Sequence, residues 1–288
     1  MRDPARGVIE AATPGQALAI VLAMGRDRMW VESAAGDARR LLAHAAGIEP
    51  SRLILLSVED FTDDLITRYL ALVERRNRGE PVSHILGTRA FWTHVFEVTP
   101  DVLDPRPETE ALVEAALGVS AERVLDLGTG SGCILVSVLA ERAAAMGIGV
   151  DVSASALQVA QRNAESAGVA SRCTFMQSDW YDTVEGMFDL IVSNPPYIAA
   201  EEMSALAPEL AYEPRLALTD EHDGLSCYRI ICEGAPMHLN AGGWLMVEIG
   251  PTQGAAVAAM FGAAGLKDVE IRPDLDGRDR VVMGQKPL

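Results

Sequence analysis

Residues 124–132, Val-Leu-Asp-Leu-Gly-Thr-Gly-Ser-Gly, join an apolar run to a loop with three alternating glycines. An apolar segment that suits a helix starts at Cys133, so the stretch predicts a β-strand, a tight turn and an α-helix in direct succession. Glycine tolerates the dihedral angles of such a turn and lets a ligand lie directly against the backbone. We therefore predict a cofactor-binding site at this strand end, formed by Gly128, Thr129, Gly130, Ser131 and Gly132.

Two further predicted strand ends carry residues that suit an adenosine group. The second strand ends at Asp151, about twenty residues after the glycine loop, where a carboxylate can accept hydrogen bonds from a ribose diol. The third strand is followed by Asp179 and Trp180, which can hold an adenine by hydrogen bonding and stacking. The three strand ends together predict an adenosine-bearing ligand across the carboxyl edge of a sheet.

The spacing of the glycines bears on which adenosine-bearing ligand this is. A dinucleotide-binding loop has the spacing G-x-G-x-x-G, because the pyrophosphate lies at the helix N-terminus. This loop has G-x-G-x-G and follows Asp126, which would face an anionic pyrophosphate badly but suits a ligand with an amino group and a sulfonium. The loop favours S-adenosylmethionine and, taken alone, does not exclude a dinucleotide.

The fourth predicted strand runs into the sequence Asn194-Pro195-Pro196-Tyr197. If that strand lies beside the first one, where the order of a doubly wound sheet reverses, Asn194 lies next to the glycine loop. An amide or exocyclic amine nitrogen is a weak nucleophile, and the Asn194 side-chain oxygen and the Pro195 carbonyl can each accept a hydrogen bond from one of its N–H groups. The prolines keep the loop rigid, and Tyr197 offers a flat surface. We predict Asn194, Pro195 and Tyr197 as catalytic, all four residues as substrate-binding, and Asn194 as a cofactor contact.

The chain after Pro107 alternates between apolar strands and helical segments. Strands are predicted at 123–127, 147–151, 173–177, 187–193, 243–249, 267–272 and 279–284, and helices at about 108–118, 133–145, 153–167 and 251–264. This alternation is typical of a mostly parallel sheet with helices on both faces. We therefore predict an α/β fold with a doubly wound, seven-stranded, Rossmann-like sheet.

Residues 1–80 have the pattern of a small helical bundle. A capping box at Thr13 starts one predicted helix, which ends at Gly25, and a second helix ends at Gly47. A third starts near Ser57 or Thr62 and ends in arginines that favour a solvated helix end over a binding patch: Arg75, Arg76 and Arg78.

A predicted β-hairpin, with Gly87 and Thr88 as a turn, follows the bundle. The sequence therefore predicts three parts, namely a helical domain over residues 1–80, a hairpin linker over 81–104 and an α/β domain over 105–288.

The composition disfavours several classes of protein. The 288 residues include 41 acidic and 24 basic side chains, a net charge of −17 that is unsuited to gripping a phosphate backbone. Four cysteines without C-x-x-C spacing indicate free thiols in a reducing compartment, and the dispersed histidines indicate no metal site. No apolar run approaches the roughly 18 residues of a membrane helix, and the first twenty residues lack a secretory pattern. We expect a cytoplasmic monomer that binds no metal, no membrane and no nucleic acid directly.

With these motifs the chain resembles the class I S-adenosylmethionine-dependent methyltransferases with an Asn-Pro-Pro-Tyr loop, and more specifically the release-factor glutamine methyltransferases. The discriminating segments are 79–81, 85–87, 91–92, 105–110, 213–218, 223–225 with Tyr228, 248–250 with Gln253, and 276–280. Two positions depart from the family pattern: Glu108 stands where Asp is common, and Ser83-His84 stands where a glutamine and an aromatic residue are more usual.

The resemblance implies transfer of a methyl group from S-adenosylmethionine to the side-chain amide of the glutamine in the Gly-Gly-Gln motif of peptide chain release factors, which modulates translation termination. It implies that residues 128–132, Asp151 and Trp180 bind the cofactor and that residues 194–197 orient the substrate glutamine. Residues 1–80 would then recognise the substrate, and residues 105–288 would be the methyltransferase domain.

Other substrates and a non-enzymatic role are alternatives. DNA methyltransferases also use such a loop on a flipped base, but the net charge disfavours them. An N-methyltransferase for a ribosomal protein or ribosomal RNA is the closer alternative, and the intact motifs disfavour a catalytically silent adaptor.

The negative charge is unevenly distributed along the chain. Residues 1–80 contain 11 arginines and 12 acidic residues, a net charge of −1, whereas residues 81–288 carry −16. We hypothesise that the acidic part receives a basic protein surface around the target glutamine and attracts the cationic cofactor.

Overall fold

The computed structural model describes residues 4–31 and 33–288 and divides the chain into two compact units. The first unit ends at Gly87 and the second begins at Thr88. Each unit has its own hydrophobic core.

The described part of the first unit is the predicted helical bundle. Its α-helices are α1 (Pro4–Glu10), α2 (Pro14–Arg26), α3 (Ala34–Ala46), α4 (Asp63–Asn77) and α5 (Val82–Leu86), with 3₁₀ turns at Pro50–Leu55 and Val58–Asp60. The capping box at Thr13 and the left-handed cap at Gly47 are present, and Thr62 accepts a hydrogen bond from the Leu65 N–H at the start of α4. The core is formed by apolar side chains that include Ile9, Val21, Leu41, Leu42, Leu53, Phe61, Leu65, Tyr69 and Val73.

Gly25 has a packing role instead of the predicted role as a helix end. Helix α2 continues to Arg26, and a Cβ atom on Gly25 would lie only 1.8 Å from the Tyr69 hydroxyl. The absence of a side chain at this position therefore makes room for the buried Tyr69 ring.

The three arginines at the end of α4 differ in their environments, which corrects the interpretation of all three as solvated. Arg76 is buried, and its Nε donates to the buried Asp37 carboxylate on α3 at 2.9 Å. Arg75 hydrogen-bonds Glu80 at 2.7 Å, and Arg78 lies 3.6 Å from Glu74 on the helix surface. The Asp37–Arg76 pair therefore joins α3 to α4 inside the bundle.

The hairpin is shorter than the predicted segment and turns at a different place. Its strands are β1 (Thr88–Phe91) and β2 (His94–Glu97), so the turn is Trp92-Thr93 and not Gly87-Thr88. Gly87, with φ of +74°, instead ends helix α5, which occupies residues predicted as hairpin. The Trp92 N–H donates to the Glu110 carboxylate at 2.8 Å, which satisfies the backbone of the turn.

The second unit contains the predicted seven-stranded sheet. Its strands are β3 (Arg123–Leu127), β4 (Met146–Asp151), β5 (Cys173–Gln177), β6 (Phe188–Ser193), β7 (Leu239–Glu248), β8 (Lys267–Pro273) and β9 (Asp279–Gln285). Their order is β5-β4-β3-β6-β7-β9-β8, parallel from β5 to β7 and antiparallel where β9 pairs with β7 and β8. The order reverses between β3 and β6, which is the position at which doubly wound sheets bind ligands.

Helices cover both faces of this sheet. They are α6 (Glu110–Leu117), α7 (Cys133–Glu141), α8 (Ala154–Ser166), α9 (Ser226–His238) and α10 (Gly254–Ala263). Successive strand residues alternate between two core clusters, as with Leu190 and Val192 on one face and Ile191 on the other. Helix α9 lies outside the stretches predicted to be helical. In residues 4–31 and 33–288, no helix is both long enough and apolar enough to cross a membrane.

Candidate active site

The glycine loop connects β3 to α7 through three left-handed backbone positions. Gly128, Gly130 and Gly132 have φ angles of +69°, +54° and +78°, which residues with side chains rarely adopt. A Cβ atom on Gly130 would meet nothing within 4 Å, whereas one on Gly132 would press against Ala160 of α8 at 3.1 Å. Gly130 therefore leaves open space above the loop, and Gly132 allows close helix packing.

Two side chains below and beside the loop hold it in this shape. The Asp126 carboxylate accepts a hydrogen bond from the Thr129 hydroxyl at 2.7 Å, and the Asn163 amide donates to the Ser131 carbonyl at 2.9 Å. Asp126 is fully buried and does not line the cavity described below, so the expectation that it faces the ligand is wrong. Burial raises the pKa of Asp126 to about 7, although the Thr129 hydrogen bond lowers it.

Asp151 lies at the end of β4, in register with the end of β3, and contacts the glycine loop. Its carboxylate accepts hydrogen bonds from the Gly130 N–H and the Ser153 N–H, each at 2.9 Å. Burial raises the pKa of Asp151, while these N–H groups lower it. Each oxygen keeps a further lone pair, so the carboxylate can also accept from a ligand.

A cavity of about 560 Å³ lies over this edge of the sheet. That volume is in the range of small-molecule sites. The predicted residues that line it are Gly128, Thr129, Gly130, Ser131, Asp151, Asp179, Trp180, Asn194 and Pro196. Trp180 has a left-handed backbone, with φ of +47°, and its ring lies 4.0 Å from the position of a Gly128 Cβ atom. The structure therefore gathers most of the predicted site around one cavity.

The register of the strands places Asn194 beside the glycine loop, as predicted. Ser193 pairs with Leu127 on β3, so the next residues, Asn194 and Gly128, lie level with each other. The Ser193 hydroxyl also donates to the Leu127 carbonyl at 2.7 Å, which joins the two strand ends.

Three residues that were predicted as part of the site do not line the cavity, namely Gly132, Pro195 and Tyr197. Pro195 is buried, and the half-buried Tyr197 packs against the core cluster that includes α9 and α10. Burial raises the pKa of Tyr197 to about 12, so its hydroxyl remains protonated at neutral pH.

Gln253 holds the segment after Asn194 in place through hydrogen bonds. The sequence analysis did not predict this role. Its Nε2 donates to the carbonyls of Tyr197 at 2.9 Å and Gly224 at 3.1 Å. Its Oε1 accepts from the Gly250 N–H at 2.9 Å and the Tyr228 hydroxyl at 3.2 Å. All four hydrogen-bonding positions of this amide are used, so the loop after β6 is held to the start of α10.

Sequence reasoning also missed two buried polar residues near Asn194. The Asn194 Nδ2 donates to the Thr109 hydroxyl at 3.3 Å. The buried Glu248 follows Val247, the strand partner of Ser193, and so lies at the neighbouring strand end. Burial raises the pKa of Glu248 to about 7. Both residues fall in segments that carried the family resemblance, but neither segment has a motif that indicates contact with Asn194.

The rest of the cavity wall comes from segments with few motifs. Arg106 pairs with the buried Glu213 at 2.6 Å, and burial raises the pKa of Glu213 although Arg106 lowers it. Asp220 accepts backbone N–H groups from His222, Gly224 and Ser226 and so shapes the loop before α9. Further lining residues on this side are Leu103, Asp104, Pro214, Leu216, Ala217, Cys227 and Ile230.

Among the residues that the structure describes, no group of three or more histidine, cysteine, aspartate or glutamate side chains could hold a metal ion.

Comparison with protein families gives matches in both units. Residues 101–221 match the model of the methyltransferase small domain, and residues 26–87 match the model of the PrmC N-terminal domain. The first match includes the glycine loop, Asp151 and the segment 194–197.

Known relatives match across nearly the whole chain. A release factor glutamine methyltransferase of Cereibacter sphaeroides is 54% identical over 258 residues, which are 89% of this chain and 93% of the relative. One of Rhodospirillum rubrum is 44% identical over 260 residues, 89% of this chain and 80% of the relative. Among solved structures, a methyltransferase from Pyrococcus furiosus has a TM-score of 0.54 at 17% identity, covering 75% of this chain and 99% of that one, which shows a common fold.

Proposed function

This chain belongs to the release factor glutamine methyltransferases, and we propose that it transfers a methyl group from S-adenosylmethionine to the side-chain amide nitrogen of the glutamine in the Gly-Gly-Gln motif of peptide chain release factors. The observation that carries the proposal is the position of Asn194, level with Gly128 at the edge of one cavity. In the proposed reaction, a substrate amide bound by Asn194 would lie beside the methyl donor.

The residues of the cavity fit S-adenosylmethionine. The open space above Gly130 accommodates a ligand against the backbone, and Asp151 keeps free lone pairs for the two hydroxyl groups of a ribose. Trp180 and Asp179, at the end of the third strand in the chain, suit an adenine through stacking and hydrogen bonding. When bound, S-adenosylmethionine supplies an electrophilic methyl group.

Asn194 and Pro195 would orient the substrate glutamine. The Asn194 Oδ1 and the Pro195 carbonyl each accept a hydrogen bond from one N–H of the glutamine NH₂ group. This arrangement directs the nitrogen lone pair at the methyl carbon for in-line displacement, and its rate advantage comes from alignment. The Gln253 amide, which holds the Tyr197 carbonyl, supports the rigidity that alignment requires.

No residue of the site needs to act as a covalent nucleophile in this scheme. Tyr197, whose hydroxyl stays protonated at neutral pH, packs against the hydrophobic core and does not act as a base. The glutamine nitrogen would keep both of its protons during the attack, and one of the two would then be lost to solvent, since the methylated nitrogen carries a positive charge.

The first unit would contribute to recognition of the release factor, and its family match supports that role. Monomeric state, cytoplasmic location and the absence of direct nucleic-acid binding stay predictions from the sequence.

The substrate class can be tested by following label from methyl-labelled S-adenosylmethionine. The purified protein is incubated separately with release factor, duplex DNA and ribosomal RNA. We expect label in the release factor only, and a release factor with the target glutamine replaced is the matched control. Label that appears only in nucleic acid would contradict the proposal.

A further inference from the structure

The walls of the cavity are acidic, although the cofactor proposed for it carries a carboxylate. The aspartate and glutamate residues that line the cavity are Asp101, Asp104, Asp151, Asp179, Asp220 and Glu221. Among the described residues that line it, Arg106 is the only arginine or lysine. S-adenosylmethionine ends in an amino acid, whose carboxylate these acids would repel unless a cation lies close to it. Arg106 is therefore the side chain that suits this carboxylate by its charge.

The order of the strands indicates at which end of the cavity the carboxylate would lie. Asp179 and Trp180, proposed for the adenine, follow β5, and Asp151, proposed for the ribose, ends β4. The sheet continues from β4 to β3 and then to β6. A cofactor with its adenine at β5 and its ribose at β4 would extend its amino-acid part over the ends of β3 and β6, toward Asn194.

Arg106 lies at that end of the cavity. Its carbonyl accepts a hydrogen bond from the Thr109 N–H at 3.0 Å, at the 3₁₀ turn Pro107–Thr109. The Thr109 hydroxyl in turn accepts from Asn194 Nδ2 at 3.3 Å. A single residue thus joins Arg106 to Asn194, and all three line the cavity.

The Arg106 guanidinium is held by one carboxylate and keeps donors for another. Its Nη2 donates at 2.6 Å to Glu213, whose side chain is only 1% exposed. Its Nε and Nη1 make no hydrogen bond with the residues that the structure describes, and the Arg106 side chain is 33% exposed. A guanidinium has five N–H donors in a planar fork, so it can bind a second carboxylate through its remaining nitrogens. Glu213 therefore orients Arg106 without exhausting its donors.

We propose that Arg106, held in place by Glu213, binds the carboxylate of the amino-acid part of S-adenosylmethionine. The inference rests on the proposed function, because it assumes that this cofactor occupies the cavity with its adenine at Trp180. It gives the segment before α6 a role in cofactor binding beside the glycine loop and Asp151. The cavity should consequently prefer adenosine derivatives that carry a carboxylate over those that lack one.

The test compares two ligands that differ only in this carboxylate. S-adenosylhomocysteine carries it, and the decarboxylated analogue of S-adenosylhomocysteine keeps the adenosine, the sulfur and the amine. Calorimetry gives the Kd of each ligand without release factor and without turnover. The wild type should bind S-adenosylhomocysteine at least about 10-fold more tightly, as expected for a charge-assisted hydrogen bond. Equal affinity for the two ligands would overturn the inference, since the acidic walls alone favour the analogue, which has lost its negative charge.

The variants are built on Glu213→Gln, because Arg106→Met alone would leave the buried Glu213 without its partner. Glu213→Gln keeps an acceptor for Arg106 and should keep the preference for S-adenosylhomocysteine. Adding Arg106→Met should weaken the binding of S-adenosylhomocysteine by about 10-fold or more and change that of the analogue by less than about three-fold. Adding Arg106→Lys instead keeps the charge without the fork and should keep part of the preference.

Two results with the Arg106→Met variant would contradict the inference. An equal loss of affinity for both ligands would show that Arg106 only maintains the shape of the cavity. An unchanged preference would assign the carboxylate to other groups, such as His222 or the backbone N–H groups of the glycine loop.

The two proposals fail in different ways. Wild-type protein that binds neither S-adenosylmethionine nor S-adenosylhomocysteine would contradict the proposed function. If the wild type binds both and methylates release factor, but the Arg106→Met variant keeps the preference for the ligand with a carboxylate, only the role of Arg106 fails.

Discussion

At the scale of single residues, the site combines open glycines with buried polar groups. Gly130 provides space for a ligand, while the Asn194 amide at the cavity wall donates to the Thr109 hydroxyl. The carboxylates are of two kinds, since Asp151 lines the cavity whereas Asp126 and Glu248 are buried behind it. Ligand contact and positioning are therefore assigned to different side chains.

Asn194→Ala should remove the hydrogen-bond acceptor for the substrate amide and leave the glycine loop and Asp151 in place. We expect methyl transfer to fall by about 100-fold or more, as when a preorganised hydrogen-bonding group is removed from an active site. The affinity for S-adenosylmethionine, measured by calorimetry, should stay largely intact. If binding were lost together with activity, the role assigned to Asn194 would be incorrect.

Gly130→Val should block cofactor binding, because its side chain would project into the open space above the loop. We expect the calorimetric affinity for S-adenosylmethionine to fall by about 100-fold or more through direct overlap. Gly168→Val is the matched control, since Gly168 also has a positive φ and open surroundings but lies outside the cavity lining. Unchanged affinity in the Gly130 variant would refute the proposed binding loop.

At the scale of elements, strand order accounts for the site. The reversal between β3 and β6 brings together the glycine loop and Asn194, which are more than sixty residues apart in the sequence. Helix α9 and the loop before it close one side of the cavity, and Gln253 joins that loop to the chain after β6. In the first unit, the buried Asp37–Arg76 pair joins α3 to α4.

Asp37→Ala should destabilise the first unit by removing the buried carboxylate that accepts hydrogen bonds from Arg76, Arg40 and Ser33. We expect a loss of about 3–5 kcal/mol, against less than about 1 kcal/mol for Arg68→Ala, which removes an exposed ion pair of α4. Hydrogen exchange of the α3 and α4 amides measures the difference. Equal effects of the two variants would contradict the importance of the buried pair.

The Asp37–Arg76 pair should stabilise the first unit less at acid pH than at neutral pH. Burial raises the pKa of Asp37, but hydrogen bonds from Arg76, Arg40 and Ser33 bring it below its ordinary value. A carboxyl whose pKa is lowered on folding stabilises the protein above its unfolded pKa of about 3.9 and loses that contribution as the pH falls further. The protection of α3 and α4 should therefore weaken in acid.

The sequence predicted most of these elements because the strands are long apolar runs that end in glycine or in polar residues. The sheet follows from that pattern. Its reversal between β3 and β6, and with it the position of Asn194, follow from the methyltransferase arrangement that the motifs suggest, and both are confirmed. Helix α9 escaped prediction because Gly234 and Pro236 interrupt it, and α5 because five residues carry little periodicity. Thr109, Glu248 and Gln253 could not be placed at the site, since their contacts join residues distant in the chain.

At the scale of the whole molecule, the negative charge belongs to the catalytic part. Residues 81–288 carry −16 of the −17, and the first 80 residues are nearly neutral. A surface with one sign of charge steers an oppositely charged partner and discourages nucleic acid. The charge therefore favours a basic region of a protein as the partner of the second unit.

Salt should weaken the productive encounter with the release factor. The screening length falls from about 30 Å at 0.01 M to about 10 Å at 0.1 M ionic strength, so we expect the KM for the release factor to rise by about five-fold or more over this range. Sucrose at matched osmolality is the control and should leave KM unchanged. A KM that does not depend on salt would remove the electrostatic hypothesis.

The identity of the methylated residue tests the proposed reaction most directly. Release factor is incubated with the protein and S-adenosylmethionine, digested, and sequenced by tandem mass spectrometry, with the Asn194→Ala variant run in parallel. We predict the mass of one methyl group on the glutamine of the Gly-Gly-Gln motif, present with the wild type and absent with the variant. An unmodified glutamine after incubation with active, cofactor-bound protein would contradict the proposed function.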